Sequence, residues 1–196
     1  MPRISYYPVE GIEDPELRAI LDHAARHGTP RPESQAIRAH VPATLRDFWA
    51  QWEHTFRNGV CDHAIKELCR VYVSRTVECL YCGNQRSTGG RDQGLVERDY
   101  DELLEFEASD RYDERQKAAL AYAQAIVWNP EEADDDFWER LHLHFSDEEL
   151  VELGYFVGVT FGQQSWIRTL DIGHHEVLDE SDEGLAPHEL RARARG

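Results

Sequence analysis

Apolar residues recur three and four positions apart along most of the chain, which is the spacing that keeps them on one face of an α-helix. The longest stripe runs through Leu45, Phe48, Trp52 and Phe56. No segment shows a convincing alternation of apolar and polar residues with the period of two that is typical of strands. The pattern therefore predicts an all-α protein, folded as a helical bundle.

Capping residues indicate two of the predicted helix starts. Asp14 precedes Pro15 at the first helical position, where the missing N–H of proline is harmless. Ser146 is followed three residues later by Glu149, a reciprocal capping pair that opens a long apolar helix over 150–170. The other predicted helices after the first span residues 34–40, 42–58, 62 to the mid-seventies, 79–90, 113–127 and 134–145.

Three regions differ in character along the sequence. Residues 1–41 are interpreted as an N-terminal arm with short helices, and residues 42–178 carry the strong helical pattern. Residues 179–196 are acidic and then arginine-rich with little apolar content, a composition that predicts a loosely ordered tail.

Glycines recur at every fourth position of the predicted C-terminal helix. Gly154, Gly158 and Gly162 would lie on one side of that helix. Because glycine has no side chain, the three residues predict a smooth face against which another helix backbone packs closely.

The charge balance excludes several classes of partner. The chain of 196 residues has 21 basic and 38 acidic residues, which gives a formal net charge of -17. Such a surface repels phosphate backbones and anionic lipid headgroups, so neither nucleic acid nor a membrane surface is an expected partner. No secretory signal and no membrane-spanning apolar run is visible, so we expect a soluble cytoplasmic protein.

The feature most specific for chemistry is Cys79-Leu80-Tyr81-Cys82, which follows Glu67 by twelve positions. In a reducing compartment a Cys-x-x-Cys pair is more often catalytic or metal-binding than structural. A helix beginning near Cys79 places both thiols in its first turn, where backbone N–H groups favour the thiolate. The two sulfurs can close a disulfide there, and we predict that oxidation links Cys79 to Cys82.

Two charged residues are candidates for activating the cysteine pair. Arg86 lies one helical turn beyond Cys82 if the helix continues, where its guanidinium favours the Cys82 thiolate. Glu67 lies among apolar neighbours on the preceding predicted helix, and a helical hairpin brings it back towards the thiols. There it either accepts a proton from a thiol or forms an ion pair with Arg86.

Other interpretations of the cysteines stay open at this point. A zinc site needs two further ligands, and Cys61 and Cys69 lie eight residues apart, which disfavours tetrahedral ligation by both. Free cysteines also pack as small apolar residues, so a purely structural role for Cys79 and Cys82 is an alternative. The sequence predicts neither a bound metal nor a cofactor.

Residues 42–173 resemble the carboxymuconolactone decarboxylase/alkylhydroperoxidase D superfamily. The motif of that family is a Glu, then a Cys-x-x-Cys that opens a helix, with a His four residues after the second Cys. Glu67, Cys79 and Cys82 stand in register with it, and stretches 113–123 and 145–153 look like the family's C-terminal helices. The resemblance implies an alkylhydroperoxidase D-like helical bundle that assembles as a homo-oligomer, a trimer or a hexamer.

The resemblance also implies an activity. Alkylhydroperoxidases of this superfamily reduce organic peroxides through the two cysteines and are recharged by a lipoyl or thioredoxin-like reductant. By this carry-over Cys82 attacks the peroxide and Cys79 resolves it, although helix position alone favours Cys79 as the more acidic thiol. The family His falls at Arg86, and the His often found between the cysteines falls at Tyr81. Arginine holds a thiolate but does not relay protons, so weak or altered peroxidase activity is implied.

Three functions follow as hypotheses. The first is a thiol-dependent alkyl hydroperoxidase or disulfide reductase with an antioxidant role, which uses Cys79 and Cys82 with Glu67 and Arg86. The second is a redox-sensing or binding protein with the same pair and no turnover. The third is a non-redox enzyme of the decarboxylase type, which is less favoured because that branch does not depend on a cysteine pair.

Overall fold

Helices form the regular structure of the protein. The computed structural model describes residues 2–178 and 182–188, and the β-type pairing within these ranges is an isolated bridge between Gln85 and Leu185. The predicted all-α fold is confirmed. In the same ranges, no helix combines the length and the apolar character needed to cross a membrane.

The α-helices are numbered in chain order. They are α1 Pro15–Arg26, α2 Pro32–Arg38, α3 Pro42–Trp52, α4 His63–Thr76, α5 Leu80–Gly83, α6 Thr88–Asp92, α7 Glu114–Val127, α8 Asp135–His142 and α9 Asp147–Arg168. Helix α3 continues as a π-helical turn over Glu53–Arg57. Short 3₁₀ helices span Val9–Gly11, Glu97–Tyr100, Leu103–Glu105 and Pro130–Glu132.

Two predicted helix starts are confirmed by the caps that form. The Asp14 carboxylate accepts hydrogen bonds from the backbone N–H groups of Glu16 and Leu17, at 3.0 and 3.4 Å. Ser146 and Glu149 form the predicted capping box of α9. These bonds satisfy backbone donors that have no partner inside the helix, and so fix where α1 and α9 begin.

Helix α4 lies at the centre of the bundle and packs against α7 and α9. Its residues from Ile65 to Ser74 are all buried, so most of the helix has no side that faces solvent. The polar residues Lys66, Glu67 and Arg70 are therefore buried as well, and a buried charge is costly unless it is paired or fully hydrogen-bonded. Lys66 Nζ lies 2.7 Å from a carboxylate oxygen of Glu152 on α9.

The N-terminal region is folded onto the bundle. Helices α1 and α2 pack around a second apolar cluster that includes Leu45 of α3 and Val177 near the end of the chain. Every residue of α2 is buried. The N-terminal segment is thus part of the packed structure, and α2 carries Arg38 into the interior.

The helix predicted from Cys79 onward is shorter than its sequence pattern indicates. Helix α5 has four residues and ends at Gly83. The residues after it pair with segment 182–188, and the Arg86 N–H donates to the Gly184 carbonyl. Because backbone groups that a continuous helix would use internally are taken by this pairing, the helix predicted over 79–90 is interrupted after Gly83, and its last residues belong to the separate helix α6.

Part of the predicted tail is ordered. Within the stretch 179–196, the structure describes 182–188, where Leu185 and Ala186 are buried. The Ala186 N–H also donates to the Asn84 carbonyl at 2.9 Å. This segment is therefore docked against the residues that follow α5, and the remainder of the predicted tail lies outside the described residues.

The three glycines of α9 do not form one packed face. A Cβ placed on Gly154 would meet the Tyr122 hydroxyl of α7 at 2.5 Å. A Cβ on Gly158 or Gly162 would meet nothing within 4 Å. Close packing within the described chain thus explains Gly154, whereas the other two lie on the exposed side of α9.

Candidate active site

Cys79 and Cys82 lie at the two ends of one short helical turn. Cys79 is the N-cap of α5, and its Sγ accepts a hydrogen bond from the Cys82 N–H at 3.4 Å. The chain turns sharply before it, because Glu78 adopts a left-handed φ of 53°. The two Cα atoms are 5.3 Å apart, and the sulfurs are joined in a disulfide. The disulfide therefore closes within this one short turn.

Glu67 is paired with Arg70, three residues further along α4. The guanidinium Nε and Nη2 atoms donate to the two carboxylate oxygens at 2.7 and 2.9 Å, and both side chains are buried. The Ser87 N–H donates to the same carboxylate at 2.8 Å. The alternative pairing of Glu67 with Arg86 is thus wrong, since a residue on the same helix supplies the cation.

Arg70 also connects α4 to the thiol-bearing turn. Its Nη1 donates to the Cys82 carbonyl at 2.9 Å, and its Nη2 donates to the Gln85 carbonyl at 2.6 Å. Hydrogen bonds to a charged donor are stronger than neutral ones. The Glu67–Arg70 pair therefore fixes the backbone position of Cys82 relative to the core.

Arg86 is engaged by residues outside the cysteine pair. Its guanidinium forms a two-point ion pair with Glu97 at 2.7 and 3.0 Å, and it lies 4.2 Å from the ring centroid of Tyr100. Nη1 donates to the Gly83 carbonyl at 2.6 Å. Since α5 ends at Gly83, Arg86 does not occupy the position one helical turn beyond Cys82 that a continuous helix would give it.

A cavity of about 30 Å³ lies beside Cys82. Cys82 lines it, together with side chains from α2, α3 and α9 that include Arg38, Phe48, Trp52 and Gln164. One water needs about 10–15 Å³, so a space of this size holds a group of about two heavy atoms. Of the two residues in the disulfide, Cys82 is thus the one that a small molecule in this cavity would contact.

Arg38 brings a buried positive charge to the cavity. It is 3% exposed, and its guanidinium lies 3.8 Å from the ring centroid of Phe48. Its hydrogen bonds go to the Ser34 carbonyl at 3.1 Å and to the Gln163 side-chain oxygen at 2.6 Å, both of which are uncharged. Burial lowers the pKa of Arg38 to about 9, so the side chain stays cationic at neutral pH.

Tyr81, between the two cysteines, points to a buried acid. Its hydroxyl donates to Glu33 at 3.0 Å and accepts from the Ser34 N–H at 3.3 Å. Burial raises the pKa of Glu33, and burial with the neighbouring Glu33 raises the pKa of Tyr81 well above its usual value. Tyr81 therefore stays protonated and anchors α5 to α2.

The other two cysteines are separate from the site. Cys61 and Cys69 are buried free thiols. Burial raises the pKa of Cys61 to about 12 and also raises the pKa of Cys69, so both stay protonated and unreactive at neutral pH. Among the residues that the structure describes, no group of three or more His, Cys, Asp or Glu side chains could hold a metal ion.

Sequence reasoning missed Arg38 and Arg70. The signal for Arg70 was present, because residues three positions apart on a helix are neighbours and Glu67 precedes it by three. No local signal marks Arg38, which reaches the cysteine pair only through the packing of α2 against the rest of the fold.

Residues 42–125 match the carboxymuconolactone decarboxylase family. Uncharacterized proteins from two strains of Mycobacterium tuberculosis, CDC 1551 and H37Rv, are each 35% identical to this chain over 99 residues. That stretch is 50% of this chain, and this chain spans only 35% of the length of those relatives.

Solved structures share the fold. A peroxidase-related protein from Ralstonia eutropha with an alkylhydroperoxidase core has a TM-score of 0.74 at 19% identity, covering 91% of this chain and 94% of that one. The debrominase Bmp8, bound to 2,3,4-tribromopyrrole, has a TM-score of 0.72 at 18% identity and covers 91% and 96%.

A third structure has a higher sequence identity over a shorter overlap. It is a protein of unknown function from Agrobacterium tumefaciens, named for antioxidant defence, with a TM-score of 0.56 at 25% identity over 67% of this chain and 88% of that one. Taken with the family match, these likenesses define an alkylhydroperoxidase D-like helical fold. The match over residues 42–125 and the shared fold support the carboxymuconolactone decarboxylase/alkylhydroperoxidase D-like superfamily that the motif predicted.

Proposed function

We propose that the chain is a thiol-dependent peroxidase or disulfide reductase that acts through Cys79 and Cys82. The observation that carries the proposal is that Cys82 belongs to a Cys-x-x-Cys disulfide and also lines a cavity. A substrate in that cavity lies against Cys82, one of the two residues of the disulfide. The peroxidase-related and antioxidant names of two structural neighbours support the same class of chemistry.

The proposed peroxidase reaction has two steps on the protein. The Cys82 thiolate attacks the terminal oxygen of a hydroperoxide, the O–O bond breaks, and the alkoxide leaves as an alcohol after taking a proton. Cys82 is then a sulfenic acid. The Cys79 thiolate attacks its sulfur, the S–O bond breaks, and hydroxide leaves as the disulfide forms and becomes water after taking a proton.

An external dithiol closes the cycle. A lipoyl or thioredoxin-like reductant attacks the Cys79–Cys82 disulfide, becomes a disulfide itself, and returns both cysteines to thiols. Each turnover therefore consumes one peroxide and one dithiol. In the disulfide-reductase form of the proposal, a substrate disulfide replaces the peroxide as the oxidant. The Cys82 thiolate attacks it and one substrate thiol leaves, and Cys79 then releases the second substrate thiol as the Cys79–Cys82 disulfide forms.

Glu67 and Arg86 enter the proposal as positioning residues. The Glu67 carboxylate is engaged by Arg70 and by the Ser87 N–H, and Arg70 in turn holds the Cys82 carbonyl. Arg86 holds the Gly83 carbonyl at the end of α5. Both side chains thus stabilise the turn on which the thiols lie, and neither is proposed to transfer a proton to the substrate.

A redox sensor without turnover is the second candidate. It is favoured by the same ion pairs, because Glu67 and Arg86 are both engaged and the position of the family histidine is an arginine. A sensor needs only that the disulfide forms and is reduced. The decarboxylase-type hypothesis differs from both, since its activity would not depend on either cysteine.

Peroxide consumption in the presence of dihydrolipoamide separates these candidates. The reduced protein is expected to consume cumene hydroperoxide for many turnovers, and Cys82→Ser is expected to lower the rate about a hundredfold or more because it removes the nucleophile. The control is Cys61→Ser, a buried thiol outside the site, which should retain the rate. One equivalent consumed with disulfide formation would indicate the sensor, and activity retained in Cys82→Ser would contradict both thiol functions.

A further inference from the structure

A buried cation at the cavity beside Cys82 has no charged partner among the described residues. Arg38 donates to one backbone carbonyl and to the neutral side chain of Gln163. A buried charge is costly unless an opposite charge or a full set of hydrogen bonds compensates it. Arg70 provides the contrast in the same protein, because its guanidinium is matched by the Glu67 carboxylate.

Two more polar atoms at this cavity are unpaired. Thr160 Oγ1 and Gln164 Oε1 are buried, and neither has a hydrogen-bond partner within the described ranges. Both residues line the cavity with Arg38 and Cys82. Buried polar atoms are nearly always hydrogen-bonded, so two unpaired ones at one cavity indicate that a bound polar group supplies the missing hydrogen bonds. Thr160 can donate to an anion, and Gln164 can accept from a hydroxyl or hydroperoxyl group.

We propose that this cavity binds the carboxylate of a small organic acid through Arg38, so that a bound acid keeps peroxide away from Cys82. The cavity of about 30 Å³ has room for the two oxygens of a carboxylate. Guanidinium is the group best suited to hold a carboxylate, because its N–H donors match the two oxygens. The rings of Phe48 and Trp52 in the same wall provide apolar contact for the carbon part of the ligand.

The inference names a ligand of the proposed active site, and only the effect of that ligand on turnover rests on the proposed function. Acid binding itself needs no turnover. It is therefore measured first on the disulfide form, which does not react with peroxide.

Calorimetric titration with acetate and with its uncharged counterpart acetamide tests the binding step. Acetate is expected to bind about ten- to a hundredfold more tightly than acetamide, since hydrogen bonds to charged groups are the strong ones. Arg38→Gln is expected to abolish that difference. The control, Arg46→Gln, removes the same charge at an exposed ion pair on α3 and should leave acetate affinity unchanged.

A second variant keeps the test valid if Arg38→Gln does not fold. In Gln163→Glu a carboxylate replaces the amide whose oxygen lies 2.6 Å from the Arg38 guanidinium, without a change in side-chain size. This internal anion should compete with acetate and lower its affinity about tenfold or more. Equal affinity for acetate in the wild type and in both variants would overturn the proposal.

Turnover distinguishes a failure of this inference from a failure of the proposed function. Acetate is expected to raise the KM for cumene hydroperoxide without changing kcat, and Arg38→Gln is expected to remove this inhibition. An unchanged KM in the presence of acetate would overturn the inference while the peroxidase proposal stands, whereas acetate binding through Arg38 with no peroxide consumed would support acid binding and contradict the peroxidase.

Discussion

At the residue scale, Arg70 occupies the role that the sequence pattern suggested for Arg86. It lies three residues after Glu67 on one helix, so their ion pair is a direct consequence of helical spacing. Its remaining N–H groups reach the Cys82 and Gln85 carbonyls. The buried ion pair of the site thus belongs to the central helix α4. Arg86 instead donates a hydrogen bond to the Gly83 carbonyl at the end of α5.

Replacing Glu67 by Gln should destabilise the protein strongly. The change leaves the Arg70 charge buried without its anion, and breaking a buried ion pair from one side costs about 3–5 kcal/mol. Urea unfolding should show a loss of that order in the free energy of unfolding. The double variant Glu67→Gln/Arg70→Met removes both charges and should recover part of the loss. A single-variant loss below about 1 kcal/mol, the range of exposed pairs, would show that the pair is not a buried anchor.

At the element scale, the sequence predicted a helix end correctly where the capping residue lies next to that end in the chain. Asp14 and the Ser146–Glu149 pair cap the helices that they were expected to cap. The end of α5 could not be predicted from its own residues, because segment 182–188 decides it by pairing with the backbone around Arg86. In the candidate site, too, some features depend on nearby sequence and others on tertiary packing.

The redox pair was predictable as a motif, since its chemistry depends on spacing within one helical turn. Its surroundings were not, because they depend on tertiary packing. Arg38 comes from α2, a buried seven-residue helix in the region that the sequence predicts as an N-terminal arm with short helices. A charge that far away in sequence becomes relevant to Cys82 only when α2 packs against α3, α5 and α9 around the cavity.

Gly28→Ala tests the docking of the C-terminal segment beside α5. Gly28 has a φ of 82°, and a Cβ there would meet the Arg86 carbonyl oxygen at 2.5 Å. Gly94→Ala is the matched control, because Gly94 has a φ of 95° but nothing within 4 Å of its Cβ position. The left-handed backbone alone costs about 1–2 kcal/mol for alanine, so thermal unfolding should show that loss in Gly94→Ala and a clearly larger one in Gly28→Ala. Equal losses would contradict the close approach.

At the scale of the whole molecule, strong negative charge and an exposed apolar patch coexist. The net charge is -17, and α9 exposes Val151 and Tyr155 at 74% and 55% on the side that also carries the exposed Gly158 and Gly162. Like charge keeps copies apart, whereas an exposed apolar patch favours association. We propose that this patch is the contact of a homo-oligomer, a trimer or a hexamer.

Light scattering tests the proposed assembly. The wild type should show a mass that is a multiple of the chain mass, and Tyr155→Glu should lower it, because it places a charge in the apolar contact. Leu104→Glu adds the same charge at an exposed leucine outside α9 and should leave the mass unchanged. A monomeric wild type at micromolar concentration would contradict the assembly.

The most direct test of the account is the site of the first oxidation. Reduced Cys79→Ser protein, treated with one equivalent of cumene hydroperoxide, is trapped with a sulfenic-acid reagent and mapped by mass spectrometry, with Cys82→Ser treated in parallel. The account predicts a sulfenic acid on Cys82 in the first variant and much slower oxidation of Cys79 in the second, because Cys82 lines the cavity. Equal or faster oxidation of Cys79, or no oxidation of either variant, would contradict it.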